Sequence, residues 1–154
     1  MAHEKQDISL DEVIARRTMG SRVAVMFRLD RSFFAHILSP YNIGTNELAV
    51  LLQLHYFGEL CQEQLVRFLA MDKTMLSKTA KRLAEQGYIY TTKSEMDRRV
   101  LYLGLTDKGR NFAPLIKSKT EEWLALITEG IDESEIATAK NVLDRMISNA
   151  MKAG

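Results

Sequence analysis

The sequence runs to 154 residues, 46% of them hydrophobic and 27% charged, with 21 Lys and Arg against 20 Asp and Glu for a net charge of +1. Such a chain has length and apolar content for one domain, or one core with helical extensions. Near-zero net charge excludes a polycation, so attraction for a polyanion has to come from local clusters. A single cysteine excludes an internal disulfide framework, and the lack of a leader-like stretch or of an apolar run of bilayer length sets the expectation of a cytoplasmic protein with no membrane partner.

Residues 1–9 are polar and read as a flexible tail. From Leu10 to Leu38 there is no proline, and Val13, Ile14, Val23, Met26, Phe27, Phe33, Phe34, Ile37 and Leu38 recur at helical intervals. Gly20-Ser21 leaves open whether this segment is one helix or two. Ser39-Pro40 ends it, because a residue before proline avoids the helical region. Thr45 or Asn46 is placed to cap the next helix, with Leu48, Leu51, Leu52 and Leu54-His55 on its buried side and Gly58 at its end. Cys61 opens a short helix in which Leu65, Phe68 and Leu69 are spaced for burial. A tight connection, Ala70-Met71, leads into another helix. Two helices so joined make a helix-turn-helix, here without the glycine that many such turns carry.

That second helix has two contrasting faces. Asp72 is suited to cap it, since a carboxylate accepts free amide hydrogens at the positive end of the helix dipole. Leu76, Thr79, Ala80, Leu83 and Gly87 share one face, while Thr74, Lys78 and Lys81 point away from it, flanked by Ser77 and Arg82, with Lys73 near the start. Hydroxyls bond base edges or phosphates, and Lys and Arg neutralise phosphates and read guanine. A solvated surface helix would also carry such a face, and the residues just C-terminal to it tip the balance.

Gly87 stops the helix. The run from Tyr88 to Thr92 is rich in strand formers, Ser94–Asp97 is polar, and Arg98-Arg99 leads into Val100–Leu105, where Leu101, Leu103 and Leu105 alternate with Val100, Tyr102 and Gly104. This is a β-hairpin with two adjacent arginines at its tip. Asp97 is placed to orient one of them through an ion pair, and a phosphate backbone or a narrow minor groove would supply the remaining attraction.

Thr106 caps a further helix with Phe112, Leu115, Ile116, Trp123, Leu126 and Ile127 on its apolar side, ended by Gly130. Asp132 or Ser134 starts the last helix, where Ile136, Ala139, Val142, Leu143, Met146, Ile147 and Ala150 form an almost unbroken apolar stripe. The first and last helices are too apolar to stand alone, which points to self-association. A twofold dimer would set two recognition helices about one DNA turn apart, ~34 Å.

Nothing in the chain assembles a catalytic site, so no enzyme activity is expected. His3 falls in the tail, and His36 and His55 have the apolar neighbours of packed histidines. There is no H-E-x-x-H, C-x-x-C, phosphate-cradling glycine loop or nucleophile elbow. Neither a cofactor nor a metal is expected. Cys61, near a helix start, has two readings: a thiolate redox sensor, or a small residue at a helix cap, and the second is favoured.

The helix, the Gly-Tyr-Ile strand, Asp97-Arg98-Arg99 and Leu105-Thr106-Asp107-Lys108-Gly109 together resemble the MarR family of winged helix-turn-helix regulators, with Met71–Lys78 in the place of the recognition-helix start. The resemblance extends, less sharply, over nearly the whole chain. It implies a mainly α fold with a small β-hairpin wing: an N-terminal helical dimerisation segment at 10–44, a winged helix-turn-helix core at 45–106, and C-terminal dimerisation helices at 107–154. The implied function is transcription regulation of bacterial or archaeal type: a homodimeric repressor on a (pseudo)palindromic double-stranded DNA operator, released by a small, phenolic-type effector. The implied DNA-binding residues are Lys73, Thr74, Ser77, Lys78, Lys81, Arg82, Asp97, Arg98 and Arg99, with Asp97 bracing a wing arginine in the minor groove. Redox sensing through Cys61 and a winged helix used for protein contacts are the alternatives. Arg16, Arg17, Arg22, Arg28, His36, Tyr41, His55 and Tyr56 are available to meet an anionic effector, and Met19, Met26 and Met71 to line a cavity, but no motif selects among them.

Overall fold

The computed structural model describes residues 8–153; residues 1–7 of the expected tail, His3 among them, lie outside these. The chain divides into two compact units, one ending at Arg110 and the other starting at Asn111.

The first unit opens with two helices rather than one. Ser9 caps α1 (Leu10–Ala15), accepting the Glu12 N–H at 3.2 Å while Glu12 accepts the Ser9 N–H at 3.2 Å. Thr18 caps α2 (Met19–Leu38) by accepting from Ser21. The break therefore falls at Arg16–Thr18. Gly20 lies inside the first turn of α2, because a hydroxyl that satisfies free amides starts a helix more decisively than a glycine breaks one. Phe34 and Leu38 are buried, whereas Val23, Met26, Phe27 and Leu29 are exposed.

A single 3₁₀ turn, Ser39–Tyr41, comes next, with Pro40 inside it. Gly44, not Thr45 or Asn46, is the cap of α3 (Thr45–Phe57), and Glu47 accepts the Gly44 N–H at 3.2 Å. Leu48, Val50, Leu51 and Leu54 are buried, as is Glu47 itself. Gly58 closes the helix at φ 78°.

Beyond it lies a strand not foreseen from the sequence: β1, only Leu60–Cys61. Two residues are too few to show an alternating pattern. It pairs antiparallel with β3 (Leu101–Leu105), which also pairs with β2 (Ile89–Lys93), so the order is β1-β3-β2. The hairpin register runs from Ile89 opposite Leu105 to Lys93 opposite Leu101. Between the strands stand α4 (Gln62–Leu69) and α5 (Lys73–Glu85). Leu65, Leu76, Leu83 and Leu103 are fully buried and join the helix-turn-helix to the sheet. Phe68, expected inside, is 41% exposed, and its ring lies 6.2 Å from that of Phe57 on the surface.

Ala70 ends α4 in the left-handed region, at φ 49° and ψ 36°. This is the conformation a glycine would adopt freely and an L-residue adopts at a cost of ~1–2 kcal/mol. Ala70 is exposed, so its methyl contributes little to the core. Ala70→Gly is expected to stabilise the fold by about 0.5–1 kcal/mol after the greater freedom of the unfolded glycine chain is subtracted. A urea midpoint equal to or below that of the parent would contradict this.

Thr106 and Gly109 fasten the start of α6 (Asp107–Ile127). Thr106 Oγ1 donates to the carbonyls of Gly87 and Tyr88 and accepts the Gly109 N–H at 3.1 Å. Gly109 approaches the Tyr88 carbonyl so closely that no Cβ fits between them.

The second unit holds the remainder of α6, with Pro114 within it, and α7 (Glu133–Ala153). Gly130, at φ 74°, separates them. Asp132 begins the last helix, its N–H donating to Glu135 at 3.4 Å and its carbonyl accepting from Glu135 and Ile136. The apolar stripe of α7 is largely exposed: Val142, Leu143, Met146, Ile147 and Met151 are each 39–52% accessible.

Candidate nucleic-acid interface

α5 takes its two faces from its sequence. Leu76, Thr79, Ala80 and Leu83 are buried, while Lys73, Thr74, Ser77, Lys78 and Lys81 are all exposed. Asp72 fixes the N-terminal turn, its Oδ1 accepting the Met75 N–H at 2.7 Å. Lys81 stands 3.8 Å from Glu85, a pair with both side chains well exposed and held loosely in solvent. Among the described residues, Lys73 and Lys78 have no ion-pair partner.

Arg82 behaves differently from its neighbours. Its guanidinium lies 3.0 Å from the Glu47 carboxylate, which is 6% exposed, and reaches the Asn42 carbonyl at 3.5 Å. Gln86 donates to the same carbonyl at 2.9 Å. A buried carboxylate stripped of its counter-charge is costly. Arg82 therefore ties the recognition helix to α3, and it does so half-exposed, with part of its cation still open to solvent. Glu47 was not among the sequence candidates. The available signal was an acidic residue immediately before the apolar run Leu48–Leu54, on the face that α3 buries.

The wing tip, residues 94–100, is a loop braced by its own backbone. Ser94 Oγ accepts the N–H groups of Met96 and Asp97 at 3.2 and 3.3 Å, and the Ser94 N–H donates to the Val100 carbonyl at 2.9 Å. Asp97 Oδ1 accepts the backbone N–H of Arg99 at 2.9 Å. This replaces the ion pair expected from the sequence: a carboxylate two residues ahead of an amide closes a short turn on its own chain, leaving the guanidinium free. Arg98 and Arg99 are both exposed, with no ion-pair partner among the described residues. The sequence placed Ser94 in the polar loop but did not reveal its bracing role, although serine three residues before aspartate in such a loop is a turn pattern.

The helix and the wing meet. Lys73 and Arg99 border one hollow of about 180 Å³, whose other walls include Cys61, Val66, Leu76 and Val100. The cations at the start of α5 and at the wing thus open on the same side of this unit. Cys61 is half-buried, precedes α4, and donates its backbone N–H to Gln64 Oε1 at 2.9 Å. Among the candidate effector contacts, His36 is exposed on α2 instead of packed, Tyr41 and Tyr56 are exposed, and His55 is half-buried. The described residues contain no group of three or more His, Cys, Asp and Glu side chains placed to hold a metal.

Comparison with known proteins agrees with this geometry. The family model described as "MarR family" matches residues 44–101. The HTH-type transcriptional regulator YybA of Bacillus subtilis, itself described as uncharacterized, is 25% identical over 99 residues, which are 64% of this chain and 66% of YybA. The regulator Hpr of Bacillus thuringiensis is 29% identical over 72 residues, 47% of this chain and 39% of Hpr. The match thus spans just under two thirds of YybA and well under half of Hpr. A MarR transcriptional regulator from Methanosarcina mazei superposes with a TM-score of 0.81 at 26% identity, covering 88% of this chain and 98% of that one. A putative MarR family regulator from Listeria monocytogenes, solved with a 26mer DNA, superposes with a TM-score of 0.85 at 23% identity, covering 89% and 91% of the two chains, a likeness of fold.

Proposed function

We propose that this chain is a winged helix-turn-helix regulator of the MarR family that regulates transcription by binding double-stranded DNA, a reading supported by the match of residues 44–101 and by the shared fold. The observation that carries this is the shared side of two cation groups, Lys73 on α5 and Arg99 on the wing, bordering one hollow. α5 enters the major groove with Thr74, Ser77 and Lys78 towards the bases and phosphates, and Lys81 beside them. The wing sets Arg98 and Arg99 against the minor groove, with Asp97 holding the turn that presents them. Arg82 supports the helix through Glu47. A winged helix used only for protein contacts has no need of both cation groups.

The active species is a homodimer on a (pseudo)palindromic operator. Supporting this are the apolar side chains left exposed on the terminal helices, including Leu10, Met19, Val23 and Phe27 in the first unit and Leu126, Val142, Leu143 and Ile147 in the second. Exposed apolar area on this scale marks an association surface. The dimer acts as a repressor and a small effector relieves it.

The test is a mobility shift on the DNA flanking the chain's own gene, run over a salt series. Each phosphate contact contributes about 0.9 to the slope of log affinity against log salt. Lys78→Ala is expected to weaken binding to all sequences alike and to flatten that slope by about one per protomer. A slope unchanged from the parent would remove Lys78 from the interface, and no shift on any native fragment would remove the proposed function.

A further inference from the structure

Met96 stands at the tip of the wing with 99% of its surface open to solvent, whereas no other large apolar side chain among the described residues exceeds 68%. A lone exposed methionine is ordinary on a protein surface; its place is what carries the argument. The ladder of β2 and β3 ends at Lys93 opposite Leu101, and the Ser94 N–H closes the loop above it on the Val100 carbonyl. Ser94 Oγ accepts the Met96 N–H at 3.2 Å, and the Val100 N–H donates to the Asp97 carbonyl at 2.9 Å. A braced loop therefore holds this side chain out in water, next to the two free arginines of the wing. Lys93, Arg98 and Arg99 against Glu95 and Asp97 leave the tip one positive charge in excess, and the Asp97 carboxylate is engaged with the Arg99 N–H. No second apolar residue stands within 94–99. The tip thus lacks the cluster on which a protein partner would anchor. It presents one apolar end between cations.

We propose that Met96 lies on the floor of the minor groove beside the wing arginines and makes the wing select A·T pairs there, by leaving neither room nor an acceptor for the 2-amino group of guanine. This deepens the DNA-binding reading above and rests on it. The groove has walls of phosphate and a floor of base edges, so cations at the flanks meet the walls and an apolar end meets the floor. Along that floor A·T and T·A pairs show only acceptors, whereas G·C adds the N2 amino donor. A thioether is at best a weak acceptor. Methionine pressed against the amine strips it of water and returns no comparable hydrogen bond, which is costly. Methionine is among the apolar side chains that proteins insert into this groove. The arginines act differently, through charge attracted to the negative potential of a narrow groove. Arg99 thus supplies affinity, and Met96 supplies the rejection of guanine.

The experiment uses the full chain and a fluorescein-labelled native fragment that the parent shifts. Hydroxyl-radical footprinting locates the base pairs that face the wing, and each is changed in turn to A·T, G·C and inosine·cytosine. Inosine lacks the 2-amino group and keeps the major-groove face of guanine, so the reading by α5 is undisturbed. The parent is expected to bind the A·T and inosine duplexes roughly fivefold or more tightly than the G·C duplex, the lower end of the cost of one wrong base pair. Met96→Ala should erase that preference, and Met96→Leu, apolar and of similar bulk, should keep it. Met96→Gln should relieve it, because its amide oxygen accepts from the amine. Arg99→Ala should weaken all three duplexes and preserve their ranking. The Met96 variants should melt with the parent, since a side chain so exposed gives up no packing. Equal affinity of the parent for inosine and guanine duplexes would overturn the inference, as would a preference that survives in Met96→Ala. A preference lost in Arg99→Ala would assign the selection to the arginine and overturn it too. Failure of the parent to shift any native fragment would overturn the DNA-binding reading itself, a result distinct from each of these.

Discussion

Arg99→Ala is expected to lower affinity for a native operator by roughly 5- to 150-fold per wing, the worth of ~1–3 kcal/mol for a well-placed contact to the bases. Thermal stability should be unchanged. The guanidinium is exposed and unpaired among the described residues, so the folded state loses no internal contact with it. The turn should also persist, because Asp97 holds the Arg99 backbone N–H and not its side chain. Asp97→Ala makes the informative companion: it removes the brace and leaves both arginines, so any loss of affinity comes from order in the loop. Should the Arg99 variant bind a native fragment as tightly as the parent, the wing would have no place in the interface.

Gly109→Ala is expected to produce the largest loss of stability from one methyl group, about 3 kcal/mol, at the upper end for overpacking. A Cβ at this position would be driven into the Tyr88 carbonyl. That carbonyl cannot swing aside freely, because it accepts both the Thr106 N–H and the Thr106 hydroxyl, each at 3.1 Å. Relief requires moving the start of α6 away from the strand that succeeds α5, which breaks those bonds. A fall of roughly 2–4 °C in Tm per kcal/mol makes the effect easy to read by calorimetry. A variant within about 0.5 kcal/mol of the parent, the range of ordinary surface changes, would show that the contact is slack.

The same residues show what the sequence could convey. Local patterns reported local structure. The buried face from Leu76 to Leu83 and the hairpin from Ile89 to Leu105 were legible because each repeats its signal over several residues, and Asp72 was legible as a cap because it stands directly before that periodic face. The motif from Leu105 to Gly109 was legible as a family mark, yet its physics is a contact with Tyr88, twenty-one positions earlier for Gly109, and only coordinates expose that. β1 is too short to repeat anything, and the start of α2 turned on one hydroxyl, Thr18, instead of the more conspicuous Gly20. In the candidate interface, exposure of the α5 cations came from helical spacing. The division between cations that remain free and one that is spoken for did not, because the partner of Arg82 lies thirty-five residues away on another helix. Asp97 taught a related lesson: charge complementarity suggested an ion pair, and the geometry of two-residue spacing chose the amide.

The sheet order leaves β2 with one row of amides facing no neighbour among the described residues. An open strand edge invites another chain to add to it, the first step of aggregation. Here the strand is five residues long, four of them exposed, and it ends on Lys93. So short an edge, closed by a cation, recruits poorly, and crowding on a promoter should not string these molecules together through their wings.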